Sequence, residues 1–152
     1  MRSHALYRCL VLLGAPMLAT PSLGDEELDA NRSKWDTTGI NHYELRYQRV
    51  CECHREMPAD TIVTVDGGRI VDVRYRREDY LTDIPVPAER REWFSTVEDF
   101  FGLIERALES GALVRVSYQP DLGYPRRIYI DYDELMVGEE VELHILKVRG
   151  LD

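Results

Sequence analysis

The chain has 152 residues, with 28 acidic against 19 basic and a formal net charge of −9. That length holds one domain with a core of its own and does not comfortably hold two. The acidic excess disfavours DNA, RNA and anionic lipid as partners, since each asks for a positive surface.

Met1 to Gly24 carries Arg2 and Arg8 and no acidic residue, and between Arg8 and Pro16 lies the apolar run Cys9-Leu10-Val11-Leu12-Leu13-Gly14-Ala15. A basic start, an apolar stretch too short for a bilayer, and small residues before Asp25 predict a secretory signal over residues 1–24, cut after Gly24. The expected mature chain, residues 25–152, is then a single exported domain, periplasmic or extracellular, with no transmembrane segment. Cys9 sits inside the apolar run and no cysteine stands at the cleavage point, so no lipid anchor is expected.

Glu26 to Trp35 predicts a short helix that sets Leu28 and Trp35 on one face and stops at Thr38-Gly39. His42 to Cys53 alternates: Tyr43, Leu45, Tyr47 and Cys51 share one side, and His42, Glu44, Arg46 and Gln48 the other, which predicts a half-buried strand. Thr61–Val65 and Ile70–Tyr75 flank Asp66-Gly67-Gly68, a hairpin signal. Arg76 to Trp93 is polar, contains Pro85 and Pro87, and is expected to be a long loop. Ser95 and Glu98 form a capping-box pattern ahead of a helix over Thr96–Glu109, whose apolar face is Val97, Phe100, Phe101, Ile104 and Leu108 and whose stop signal is Gly111. Three strands close the chain. Val114, Val116 and Tyr118 alternate in the first; Ile128, Ile130 and Tyr132 share a side of the second; Val141, Leu143 and Ile145 point inward in the third. Strand runs separated by one helix predict an α+β fold, order α-βββ-α-βββ: an antiparallel sheet of about five to six strands with one main helix packed on one face.

Cys51-Glu52-Cys53 is the most unusual local feature. In a regular strand two such Cα atoms stand about 6.6 Å apart, near the long limit for a disulfide, so a bridge there needs a bend before Met57-Pro58. Export favours a structural clip. A redox pair lacks the surrounding thioredoxin-like pattern. A zinc site built from Cys51, Cys53 and His54 with a returning His42 or His144 follows no common spacing. The carboxylates Asp131, Asp133, Glu134, Glu139, Glu140 and Glu142 lack the EF-hand pattern, because Leu135 and Met136 stand at its fifth and sixth positions, and they are expected to form a solvated turn. No nucleophile elbow, phosphate loop or His-Glu-x-x-His is present, so no catalytic residue and no cofactor is assigned. The wet side of the sheet is expected to display Arg46, Gln48, Arg115, Arg127, Tyr129 and His144, and the turn Leu122-Gly123-Tyr124-Pro125 to present the Tyr124 ring.

Trp35, Tyr43, Tyr47, Cys51-x-Cys53, Val65-Asp66-Gly67 and the Thr96-Val97-x-x-Phe100-Phe101 helix, followed by Tyr118-x-Pro120-x-Leu122-Gly123-Tyr124-Pro125, Ile130-Asp131 and Glu139-Glu140, form an array over nearly the whole mature chain. In it the chain resembles a family of small exported bacterial proteins and lipoproteins of unknown function, departing from members that keep a lipobox cysteine. The resemblance implies export and this architecture, and no activity. The expected function is a non-enzymatic exported module that binds a protein or envelope partner through the open sheet face or the long loop; the alternative is a thiol-redox or metal-binding protein using Cys51 and Cys53. Oligomeric state is not encoded in these patterns.

Overall fold

Two antiparallel meanders are joined edge to edge by the pairing of the first and last described strands, which form the centre of the sheet. The computed structural model describes residues 23–50, 60–76 and 83–151. In chain order it contains α1 (Leu23–Thr37), β1 (His42–Val50), β2 (Asp60–Asp66), β3 (Arg69–Arg76), a two-residue β4 (Ile84–Pro85), a 3-10 helix (Ala88–Trp93), α2 (Val97–Glu109), β5 (Leu113–Tyr118), β6 (Pro125–Asp131) and β7 (Val141–Gly150). The seven strands form one antiparallel sheet in the order β4-β3-β2-β1-β7-β6-β5. The fold is thus α+β and antiparallel as expected, with more strands than the sequence predicts. The added one is β4, whose two residues pair with Arg74 and Tyr75 of β3 inside the segment read as an unbroken loop. Period-two patterning has no purchase on a two-residue strand.

Alternation places the core. Tyr43, Leu45 and Tyr47 of β1 face the same side as Val63 and Val65 of β2, Val73 of β3, Ile128 and Ile130 of β6, and Leu143 and Ile145 of β7, all buried. A bulge between Arg46 and Tyr47 shifts the β1–β7 register, so Leu146 is left exposed while Val148 returns to the core. Tyr132 is instead 46 % exposed, because ladder pairing stops at Leu113↔Asp131 and Tyr132 lies one residue past the end of β6.

Both helices cover this one face. α2 buries Val97, Phe100, Phe101, Ile104 and Ala107, while Leu108 is only partly buried. Its capping box uses Thr96 and Asp99 rather than Ser95 and Glu98: Thr96 Oγ1 accepts from the Asp99 amide at 3.1 Å, and Asp99 Oδ2 accepts from the Thr96 amide at 2.8 Å. Glu98 is committed elsewhere. Its Oε1 accepts from Trp35 Nε1 at 2.8 Å and its Oε2 from Tyr43 Oη at 2.7 Å, while Tyr43 Oη itself accepts from the Val97 amide at 3.1 Å. α1 runs longer than its apolar pattern suggests and seals the sheet with Leu28 and Trp35, each 2 % exposed. The Trp35 ring meets Tyr43 edge-on at 5.4 Å and Tyr124 at 6.2 Å.

Three glycines are fixed by geometry. Gly67 and Gly68 have φ of 55° and 75°, the paired positive values that a two-residue hairpin between right-twisted strands requires. Gly123, at φ 80°, lies so close to α1 that a Cβ there would stand 2.3 Å from the Asn31 carbonyl oxygen. The β5–β6 turn is pinned to the same helix by Lys34 Nζ, which donates to the Pro120 carbonyl at 2.7 Å.

Replacing Tyr43 by Phe strands the buried Val97 amide and is expected to cost about 1–3 kcal/mol. Glu98→Ala should cost a similar amount, and the double variant clearly less than the two together, since the changes share partners. Urea unfolding of the four proteins checks this; strict additivity would contradict the shared network.

Candidate functional site

Among the described residues the other face of the sheet carries no α-helix, and its residues form cross-strand rows. At the β2–β3 end the charges neutralise one another. Arg46 makes a bidentate ion pair with Asp60, a carboxylate only 7 % exposed. Arg74 reaches Glu44 at 3.2 Å, Asp72 at 3.1 Å and Asp83 at 3.4 Å, and Arg149 reaches the other Glu44 oxygen at 3.3 Å. Ile62 pairs with Arg46 on one side and Arg74 on the other and is 5 % exposed although it points away from the core. The aliphatic stems of the flanking arginines account for that cover.

The β5–β6–β7 end is different. Register sets Ser117 beside Arg127, Arg127 beside His144 and His144 beside Gln48, and in the next row Arg115 beside Tyr129 and Tyr129 beside Glu142. Two adjoining hollows lie here, one lined by Arg115, Ser117, Arg127, Tyr129 and Glu142, the other by Ser117, Arg126, Arg127 and His144. Arg127 Nη2 donates to Glu142 Oε1 at 2.6 Å, and His144 Nε2 lies 2.8 Å from the same oxygen. Those two neighbours, His144 first, hold the Glu142 carboxyl below the usual carboxylate range. The Arg115 guanidinium sits 5.9 Å from the centre of the Tyr129 ring. Tyr129 Oη lies 3.5 Å from Asp131 Oδ2. Desolvation, followed by the nearby carboxylates Asp131 and Glu140, raises the phenol above its ordinary value.

Sequence reasoning missed Arg126. Between the pairs Ser117↔Arg127 and Tyr118↔Pro125 the register slips, so Arg126 is the extra residue of a bulge and shares a hollow with Arg127 and His144. A bulge leaves no trace in a period-two pattern. Neither Arg115 nor Arg126 has a carboxylate partner among the described residues.

The expected binding residues therefore separate. Arg115, Arg127, Tyr129 and His144 come together. Arg46 belongs to a distinct ion pair at the β1–β2 pair. Tyr124 is on the covered face: at 7 % exposure its ring is packed under α1 against Trp35, so the turn does not present it. The turn makes its close approach to α1 at Gly123, the residue before Tyr124. Cys51, Cys53 and His54 lie outside the described residues. Of the histidines named as further zinc ligands, His42 opens β1 at the end away from Val50, and His144 is engaged by Glu142. Among the described residues no group of three or more His, Cys, Asp or Glu side chains is placed to hold a metal ion. No described helix is long and apolar enough to cross a membrane. The acidic β6–β7 connection is largely exposed, with Leu135 and Val137 in open solvent.

Among the described residues, an antiparallel sheet with two α-helices on one face and a charged second face that carries no α-helix defines an α+β protein without a recognisable catalytic constellation. The chain belongs to the family of unknown function DUF6174, whose model matches residues 27–150. No curated protein and no solved structure matches it.

On the covered side, Arg32 holds Glu105 below the usual carboxylate range through paired hydrogen bonds at 3.1 Å. Glu105 and Glu142 therefore stay ionised in the fold at pH values where the unfolded chain takes up a proton. Their contribution is complete above the ordinary carboxylate pKa of ~4.3 and is lost as the pH falls through the lower folded values. Thermal unfolding between about pH 3 and pH 6 should show this acid loss, and Arg32→Gln and Arg127→Gln should each flatten it. Profiles identical to wild type would contradict the assignment.

Proposed function

We propose that the protein is an exported, non-enzymatic binding module whose uncovered face receives an acidic, extended polypeptide segment beside β5. The supporting observation is the pair of arginines, Arg115 and Arg126, that lack carboxylate partners among the described residues of a chain whose net charge is −9. A local positive patch on an acidic protein steers an acidic partner and sets its register more than it adds raw affinity. β5 ends the sheet order, and its six residues offer a main-chain edge to an incoming strand; the opposite edge, β4, is two residues long and ends in Pro85. A polypeptide uses both the edge and the arginines, whereas an acidic polysaccharide uses the arginines alone.

Export rests on the leader-like residues 1–24. N-terminal sequencing of the protein recovered from outside the cytosol is expected to begin at Asp25; recovery with Met1 intact would remove the compartment from the proposal.

For the binding reading, a fluorescent glutamate-rich decapeptide is titrated against wild type, Arg115→Glu/Arg126→Glu and Arg149→Ala. The double charge reversal is expected to weaken binding at least tenfold and Arg149→Ala to leave it within about twofold. Backbone N-methylation of the peptide should weaken it as well. Equal binding of the methylated peptide, or of polygalacturonate, would overturn the strand-addition reading. Equal binding by the charge-reversed protein would overturn the site.

A further inference from the structure

A second concavity lies on the opposite face of the sheet from the arginine hollows, and the proposed function leaves it unused. Between the inner face of the sheet and α2 is a cavity of about 260 Å³. Tyr47, Phe94, Phe100, Leu103 and Leu143 wall it, and Arg49 and Trp93 also line it. Two of these side chains are out of place in a finished core. Leu103 is apolar yet only partly buried on α2, and Trp93 is 69 % exposed at the end of the 3-10 helix. Arg49 is exposed although it follows Tyr47 on the apolar side of β1. An exposed residue that also lines a cavity stands at its mouth. Arg49 thus brings a cation to the entrance of an aromatic chamber, and among the described residues no carboxylate pairs with it.

The chamber is built and not merely left over. Tyr47 and Phe100 meet edge-on at 5.2 Å, and Tyr75 and Phe94 pack at 5.9 Å, so the rings that line it are fixed by one another. Among the described residues its polar side chains are the Tyr47 and Tyr75 phenols, the Thr61 and Ser95 hydroxyls, the Trp93 indole and the Arg49 guanidinium. Burial pushes the Tyr47 phenol up to about 12, and like any phenol at neutral pH it carries its proton and can donate a hydrogen bond. Apolar walls with a few placed polar groups are the composition of a small-molecule site, and the volume is slightly below the ~300–1,000 Å³ of drug-sized pockets.

We propose that this cavity binds a small organic anion with an aromatic or short aliphatic body, the body lying against Phe100 and Leu103 and the carboxylate meeting Arg49. A neutral ligand of the same shape forfeits the charge-assisted contact at the mouth. The proposal does not depend on the acidic-segment reading, since the two sites share no residue.

The test titrates the full chain with 3-phenylpropanoate, following the exposed Trp93 by fluorescence and the complex by ligand-observed NMR. Saturable binding is expected for wild type. Arg49→Gln should weaken it at least tenfold while leaving the melting temperature unchanged, and 3-phenylpropanamide should bind wild type and Arg49→Gln equally weakly. Leu103→Trp, which fills the chamber, should abolish binding with the far-ultraviolet circular dichroism retained. If Leu103→Trp fails to fold, Leu103→Ala takes its place and should shift the preference toward a longer acid, 5-phenylpentanoate. Absence of saturable binding by wild type would overturn the site. Binding indifferent to the filling or enlarging change at Leu103 would also overturn it. Equal affinity for acid and amide would overturn the anionic class.

Discussion

The carboxylate of Glu98 is where three elements of this fold are tied together. It accepts one hydrogen bond from the Trp35 indole of α1 and one from the Tyr43 phenol of β1, while that phenol accepts from the first amide of α2. Each partner needs the others. Tyr43 is fully enclosed, and a phenol in that position without an acceptor would carry the cost of a stranded donor. Among the described side chains α1 brings Leu28 and Trp35 into the core as buried residues, and a helix of 15 residues is marginal by itself in water. Its attachment therefore depends on the indole contact, on the Arg32–Glu105 pair to α2 and on the close approach of Gly123.

The division of the sheet into two unlike faces follows from that tie. With both helices drawn to one side, every inward side chain from β3 to β5 can be apolar, and every outward one must be compatible with water. The outward face meets this requirement in two ways. Over β1, β2 and β3 it satisfies its charges internally, to the point of covering Ile62 and enclosing Asp60. Over β5 and β6 it leaves Arg115 and Arg126 without an ion-pair partner among the described residues. Only the second arrangement gives an approaching anion anything to gain, because the first would have to be broken before it could bind.

Much of the architecture was legible because it is carried by period-two alternation and one strongly amphipathic helix. The Gly67-Gly68 hairpin, the inward set on β1 and the extent of α2 followed from those patterns. Other features depend on distance between elements, which a sequence pattern does not contain. Glu98 reads as a capping partner in the local sequence, and it takes the fold to reveal that Trp35 and Tyr43 claim it while Asp99 caps. Tyr124 reads as an aromatic on a turn, and only the helix above it makes it core. Arg126 and Val148 changed sides or prominence through bulges, which leave alternation intact on either flank and break its phase between. At the candidate site the cluster of Arg115, Arg127, Tyr129 and His144 was legible from face assignment alone. Whether an arginine already had a carboxylate partner was not.

The pairing of β1 with β7 has a consequence for the order in which this molecule can be made. The strand nearest the start of the chain finds one of its two neighbours only in the last ten-residue strand, so the centre of the sheet is the final part to become available during synthesis. Contacts so distant in sequence place the chain among slow, late-closing topologies. A ribosome-bound fragment can form the β2–β3 hairpin and α2 but has no completed core to lock them. Such a polypeptide cannot close the centre of its sheet before β7 has been made.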